Sequence, residues 1–229
     1  MIMRIDILTL FPEMFAPLFS SIMGRATKDG KLEINIINIR DYSKDKHKKC
    51  DDYTFGGGPG MLMMPQPIYD AIVDIPNYEK AHKIYVSPKG SVFNQEMSKH
   101  YASSYEHIII LCGHYEGVDQ RILDLLIDEE VSIGDYVLTG GELPAMVIAD
   151  SVSRHIEGVL HSGESAEIES FENGLLEYPQ YTKPREFMGL SVPEVLISGD
   201  HKKVDQWRLE QARLLTRQRR PDLLNKDED

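Results

Sequence analysis

The sequence predicts an α/β fold with a mostly parallel sheet, followed by a small helical C-terminal domain, and three observations carry that expectation. Short β-rich apolar runs alternate with segments of helical spacing through the first 160 or so of the 229 residues. A small, polar stretch without periodicity then interrupts the pattern at 161–170. A long amphipathic helix dominates what remains.

Taken in order, MRIDILTL (3–10) reads as a strand, and FPEMFAPLFSSIMGRA places apolar residues at helical spacing before a turn at 28–31. LEINIIN (32–38) is the next strand. A charged stretch leads to FGGGPGM (55–61), and a helix opened by Pro65 and Pro67 runs to about Ile75. KIYVS (83–87), HIIILCG (107–113) and EEVSIG (129–134) are β-rich, with helical patterns near 94–104 and 118–127 between and around them. ELPAMVIADSVSRHI is a long helix that closes this part. Beyond the linker, HKKVDQWRLEQARLLTRQRR sets Val204, Trp207, Ala212 and Leu215 on one apolar face, with Arg208, Arg217, Arg219 and Arg220 outward. The closing LLNKDED is expected to fray. The expected organisation is therefore a domain over 1–160, a linker over 161–170 and a helical domain over 171–229.

A chain this long with 41% hydrophobic residues can bury a full core without staples. Arg4, Asp6 and Glu13 break up the first apolar stretch, so no signal peptide is expected. The longest apolar runs fall far short of the roughly 20 residues that cross a bilayer. Cys50 and Cys112 lie far apart and form no CxxC pair, which fits a reducing cytoplasm and neither a disulfide framework nor a zinc site. The eight histidines show no metal-ligand spacing. A net charge of −12 argues against a nucleic-acid partner when taken as a sum. Its distribution says otherwise, because Tyr181 to Pro221 holds nine Lys or Arg against five acids. A second basic knot, KDKHKK, lies at 44–49. Such patches suit an anion, although a solvated helix face remains open on charge alone.

In an α/β sheet, ligands collect at the carboxyl ends of strands. Three glycine-bearing turns follow strands here: SPKG (87–90), CGHYEG (112–117) and SIGDYVLTGGELP (132–144). Glycine admits close main-chain approach, so three such turns could wrap a flat ring, while each alone is also an ordinary strand-to-helix turn. No GxGxxG follows a strand and no GxxxxGK[ST] occurs, which leaves dinucleotide folds and P-loop kinases unsupported. GGGPG (56–60) matches neither and leans towards a loop that orders on a partner.

These loops carry a resemblance. LCGHYEGVDQRI, DEEVSIGDYVLTGGELPAMVIADSVSR and GLLEYPQYTKP are similar to the bacterial tRNA (guanine-N1)-methyltransferases of the knotted SPOUT superfamily. LTLFPEMF, FGGGPGM and VPEVLISGDH also resemble it, so the likeness runs from Met3 to about Leu224. It implies an α/β domain with a deep trefoil knot, S-adenosylmethionine as methyl donor, and tRNA as acceptor. The implied reaction methylates the guanosine immediately 3′ of the anticodon, in a homodimer whose site is shared between subunits. Magnesium is associated with the family, and no ligand spacing marks a site for it here.

By matching motifs, the donor-binding residues would be Tyr85, Val86, Ser87 and Pro88, then Gly113, Tyr115, Glu116 and Gly117. The third group is Ile133, Gly134, Asp135, Tyr136, Val137 and Leu138 with Gly140, Gly141 and Pro144. Main-chain groups of Ile133, Tyr136 and Leu138 suit an adenine edge, Glu116 suits the polar or cationic parts of the donor, and Asp135 also reads as a turn residue. Guanine N1 must lose its proton before attack, and charge spreads to O6, so a base and a cation are needed. The resemblance assigns the cation to Arg154 and the base to a linker aspartate directly before SF. This chain has Glu169 there, one methylene longer, with Glu167 the competitor. His114 stands where the family often has arginine. Expected tRNA contacts are Gly57, Gly58 and Pro59, with Lys202, Lys203, Arg208, Arg217 and Arg220 on phosphates. Two other readings stay open: a cofactor-binding tRNA-binding protein with weak or no catalysis, motivated by Glu169, and a knotted enzyme acting on ribose.

Overall fold

The computed structural model describes residues 2–160, 170, 171 and 173–224. The chain divides into two compact units, Met1–His161 and Ser162–Asp229. The expected linker lies almost wholly outside the described residues, as do 225–229.

The first unit is an α/β layer structure. Strands β1 (Met3–Thr9), β2 (Leu32–Asn38), β5 (His82–Val92), β6 (His107–Cys112) and β7 (Glu129–Ser132) form one sheet in the order β2-β1-β6-β5-β7. Every pairing in it is parallel. The central strands are apolar on both faces because both are covered. Ile5, Ile7, Ile84, Ile108 and Ile110 meet α1 (Ser21–Lys28), α3 (Gln95–Ser104) and α5 (Glu142–Ser153) on one side. Leu8, Tyr85, Ile109 and Leu111 meet α2 (Pro65–Val73) and α4 (Gln120–Leu126) on the other. Local chemistry starts these helices: Pro65 opens α2, Asn94 Oδ1 accepts the Met97 N–H at 2.9 Å, and Asp119 Oδ1 accepts the Arg121 N–H at 3.0 Å.

Two expectations for the first unit need correction, and one strand pair was not foreseen. FPEMFAPLFSSIMGRA is not one helix: a 3-10 segment, Pro12–Phe19, ends at an extended Ser20 before α1 begins. Pro17 has no N–H to continue the ladder, and Gly24 lets the next helix pack directly on the Phe19 carbonyl. SPKG is not a turn after a strand, because β5 continues to Val92 through an irregularity in which both Val86 and Ser91 oppose Val131. FGGGPGM is the tip of a ribbon that periodicity did not show, in which β3 (Asp51–Tyr53) pairs antiparallel with β4 (Met61–Met63).

The second unit is less helical than expected. Its main element is α6 (His201–Arg219), preceded by a two-residue hairpin, β8 (Glu186–Phe187) and β9 (Leu190–Ser191), and by irregular chain. Buried Thr216 holds that chain to the helix: its hydroxyl donates to Ala212 O and accepts the Leu176 N–H, at 2.7 and 2.8 Å. Val204, Trp207, Ala212 and Leu215 do share the shielded face of α6. Arg208 is half-exposed and engaged, its guanidinium over the Tyr178 ring at 5.1 Å and its Nη1 3.3 Å from Asp205 Oδ1. Leu223 closes a 3-10 turn, Pro221–Leu223, where fraying was expected.

One ionic cluster is built into the sheet. Asp6 on β1 is fully buried, with His107 Nε2, Asn35 Nδ2 and Arg4 Nε at 2.7, 2.8 and 2.9 Å from its carboxylate. Burial raises its pKa, and the three hydrogen bonds outweigh that and hold the carboxyl below the usual value of 3.8. A carboxylate held low in the folded state adds stability above its unfolded pKa and loses it as pH falls. Asp6→Asn should therefore cost about 1–3 kcal/mol in urea unfolding at neutral pH. The gap to the parent should narrow as the pH falls below about 4; a gap independent of pH would show that the charge is not what stabilises.

Candidate functional site

The three glycine-bearing stretches converge because β5, β6 and β7 lie side by side in parallel and discharge their chains at the same edge. Together they surround a cavity of about 300 Å³. The closure is main-chain chemistry. The Gly141 N–H donates to Gly113 O at 2.8 Å, and His114 bridges Gly140 in an antiparallel pairing. A side chain at Gly141 would drive its Cβ to 2.6 Å from Val86 Cγ2 and 2.8 Å from both Cys112 Cα and Gly113 N, so only glycine permits this approach.

Nearly every residue matched to donor binding lines that cavity. Tyr85, Val86, Ser87 and Pro88 supply one wall; Gly113, Tyr115, Glu116 and Gly117 supply the second. Ile133, Gly134, Tyr136, Val137, Leu138, Gly140, Gly141 and Pro144 supply the third. Asp135 sits in the same loop but outside the lining. Lys89, Gln120, Leu123, Glu130, Ser132 and Thr139 also line it. Lys89, Ser132 and Thr139 lie within the glycine-bearing stretches but were not singled out, whereas Gln120, Leu123 and Glu130 read as ordinary helix or strand residues that only adjacency across the sheet brings to the edge. His114 is placed by packing, its ring 4.8 Å from that of Phe11 and 5.2 Å from that of Tyr115.

The polar character of the cavity comes from few groups. Burial, with the nearby Glu130 carboxylate adding to it, pushes the Tyr85 phenol up to about 12, so it stays protonated. One Glu130 oxygen is shielded from solvent and has no hydrogen-bond partner among the described residues. Beneath the loops, buried Glu142 at the start of α5 accepts the Thr9 hydroxyl at 2.8 Å. Full burial raises the Cys112 thiol well above its ordinary value, so it offers no thiolate nucleophile. Tyr115 holds φ +58 in the loop after β6, a conformation that non-glycine residues occupy at a cost and that concentrates at functional turns.

The ribbon β3–β4 is fastened to the cavity edge. Glu116 N–H donates to Met61 O, Met63 N–H to Gly117 O and Asp119 N–H to Met63 O, at 3.0, 3.0 and 3.1 Å. The loop bearing Gly57, Gly58 and Pro59 therefore springs from the strand that borders Glu116.

Arg154 caps the far end of α5. Its twelve-residue helix, at about 1.5 Å per residue, separates Arg154 from the cavity end by about 18 Å. Glu169 and Glu167 lie outside the described residues. Of the basic residues in the second unit, Lys203 pairs with Asp200 at 3.2 Å and Arg220 with Asp222 at 2.7 Å. Lys202 and Arg217 are exposed on α6 without an ion pair among the described residues. No group of three or more His, Cys, Asp or Glu is placed to hold a metal ion among the described residues. Nor is any described helix long and apolar enough to cross a membrane.

Residues 3–226 match the family profile described as tRNA (Guanine-1)-methyltransferase TrmD. Curated relatives named tRNA (guanine-N(1)-)-methyltransferase span the same length. That of Clostridioides difficile (strain 630) is 57% identical over 231 aligned residues, covering 99% of this chain and 100% of the relative. Its counterpart in Ruminiclostridium cellulolyticum is 58% identical over 227, covering 98% and 97%, and that of Alkaliphilus oremlandii is 56% identical over 230, covering 97% and 92%.

Because the cavity closes through bare glycine contacts, Gly141→Ala should lower unfolding stability by about 1–3 kcal/mol. An unchanged melting temperature would mean that the loops have room to part.

Proposed function

The chain belongs to the tRNA (guanine-1)-methyltransferase family, and from that premise we propose that it methylates ring nitrogen 1 of the guanosine immediately 3′ of a tRNA anticodon, with S-adenosylmethionine as donor. The observation that carries this reading is the glycine-closed cavity at the edge of β5, β6 and β7. At about 300 Å³, with many main-chain groups and few charges, it suits a flat heteroaromatic ring bearing a polar tail. Ile133, Tyr136 and Leu138 would hold the ring, and Glu116 and Tyr115 the remainder. When bound, the donor supplies an electrophilic methyl on a sulfonium.

Guanine brings its own demand. The N1 proton must leave before the nitrogen can attack, and Glu169 is the carboxylate proposed to take it. Negative charge then gathers on O6, where the Arg154 guanidinium would stabilise it. Within one chain Arg154 stands about 18 Å along α5 from the cavity end. A site shared between two subunits answers that separation, so the working unit is proposed to be a homodimer in the cytoplasm. The trefoil knot belongs to the same proposal. Lys202 and Arg217 are the phosphate contacts favoured here, because Lys203 and Arg220 already face carboxylates and Arg208 is engaged by Tyr178.

The direct test is transfer of labelled methyl from S-adenosylmethionine to tRNA transcripts with guanosine or adenosine 3′ of the anticodon. Transfer to the guanosine transcript alone is expected. Binding of both transcripts without transfer would favour the non-catalytic reading that Glu169 motivates. Arg154→Ala should lower kcat by about a hundredfold or more with donor affinity kept, and equal losses in both would remove it from the O6 role. Lys202→Ala and Arg217→Ala should each reduce the salt slope of tRNA binding by about one.

A further inference from the structure

We propose that Phe55, with Tyr53 beside it, is a stacking platform for an unpaired base of the RNA loop that carries the target nucleotide. This rests on the methyltransferase reading and adds to it a residue and a mode of contact.

The argument starts from a ring that the fold does not use. Phe55 is 100% exposed and Tyr53 is 80% exposed, while Met63 on the same ribbon is fully buried. Tyr53 pairs with Met61 at the open end of the ribbon, so 54–60 form its loop and Phe55 stands near the start of that loop. The surrounding chain keeps the space clear. Gly56 and Gly57 have φ +86 and +79, and a Cβ on either would meet nothing within 4 Å. Glycine is thus required there by backbone conformation and not by packing, and both sides of the loop stay open to a flat ligand. At its other end the loop is seated, since a Cβ on Gly60 would collide with the Glu116 side chain, which lines the cavity. The aromatic ring is therefore carried on a short arm whose root is the cavity wall.

A fully exposed phenylalanine beside an exposed tyrosine fits the chemistry of single-stranded RNA, whose splayed bases offer π-faces to aromatic side chains. Lys46 and Lys48, exposed and without an ion pair among the described residues, lead into the ribbon and suit the phosphates on either side of such a base, while Lys49 already faces Asp52. A second copy of the chain fits less well. Two rings cover far less than the roughly 800 Å² per partner that a stable protein interface buries.

The test is binding of an anticodon stem-loop RNA to the full-length protein, read by fluorescence anisotropy across a range of salt. Phe55→Ala should weaken it by about tenfold or more. The salt slope should not change, because stacking releases no counterions, and donor binding and the melting temperature should stay at parental values. Phe55→Tyr should restore affinity. RNA affinity unchanged in Phe55→Ala would overturn the proposal, and so would a changed oligomeric state at unchanged RNA affinity. Failure of the enzymatic reading shows separately, as a parent protein that binds tRNA and transfers no methyl.

Discussion

The main-chain hydrogen bond from Gly141 to Gly113 is the constraint on which the site depends. It joins the turn after β6 to the start of α5, two segments 28 residues apart in sequence, and it forms only because Gly141 carries no side chain. With that contact made, the long loop after β7 must cross back over the sheet edge, and the cavity is what it encloses. Glu142 follows immediately and is locked by the Thr9 hydroxyl from the central strand, so the loop closure is keyed to the sheet core. A recognition surface made largely of backbone needs this rigidity, because main-chain donors and acceptors cannot rotate to find a ligand as side chains can.

Burial on both faces gives the sheet its other property, the tolerance of a carboxylate at its centre. Asp6 survives inside the apolar layers because three donors converge on it from β1, β2 and β6. The cluster ties these strands together by their side chains as well as by their ladder, and the same register sets the level at which the pairing of β6 with β5 ends, at Cys112 and Val86. The position of the site is thus inherited from the strand register rather than from any residue in the loops.

Charge distribution tells a different story from net charge. The chain carries −12 overall, yet Lys202 and Arg217, without an ion pair among the described residues, both stand on α6, and several neighbouring cations are already answered by Asp200, Asp222 or an aromatic face. A count of Lys and Arg along the sequence gave all of them equal weight. Pairing distances separate those held by their own unit from those that are not.

The sequence alone determined the α/β class, the positions of β1, β2, β6 and β7, and the glycine-bearing stretches that wall the cavity. These are local properties: a buried parallel strand is apolar throughout, and a helix repeats every 3.6 residues. Motif resemblance added the chemistry, because long matched segments fix residue types whose roles periodicity cannot show. What only the tertiary structure decided is non-local. The β3–β4 ribbon is too short to show a period, the extension of β5 depends on its neighbour β7, and Glu130 and Lys89 line the cavity only because β5 and β7, distant in sequence, lie side by side. Arg208 reads as a free cation until Tyr178 and Asp205 are placed against it. Pattern records which face a residue prefers, whereas packing chooses what stands opposite, and the site is made from what stands opposite.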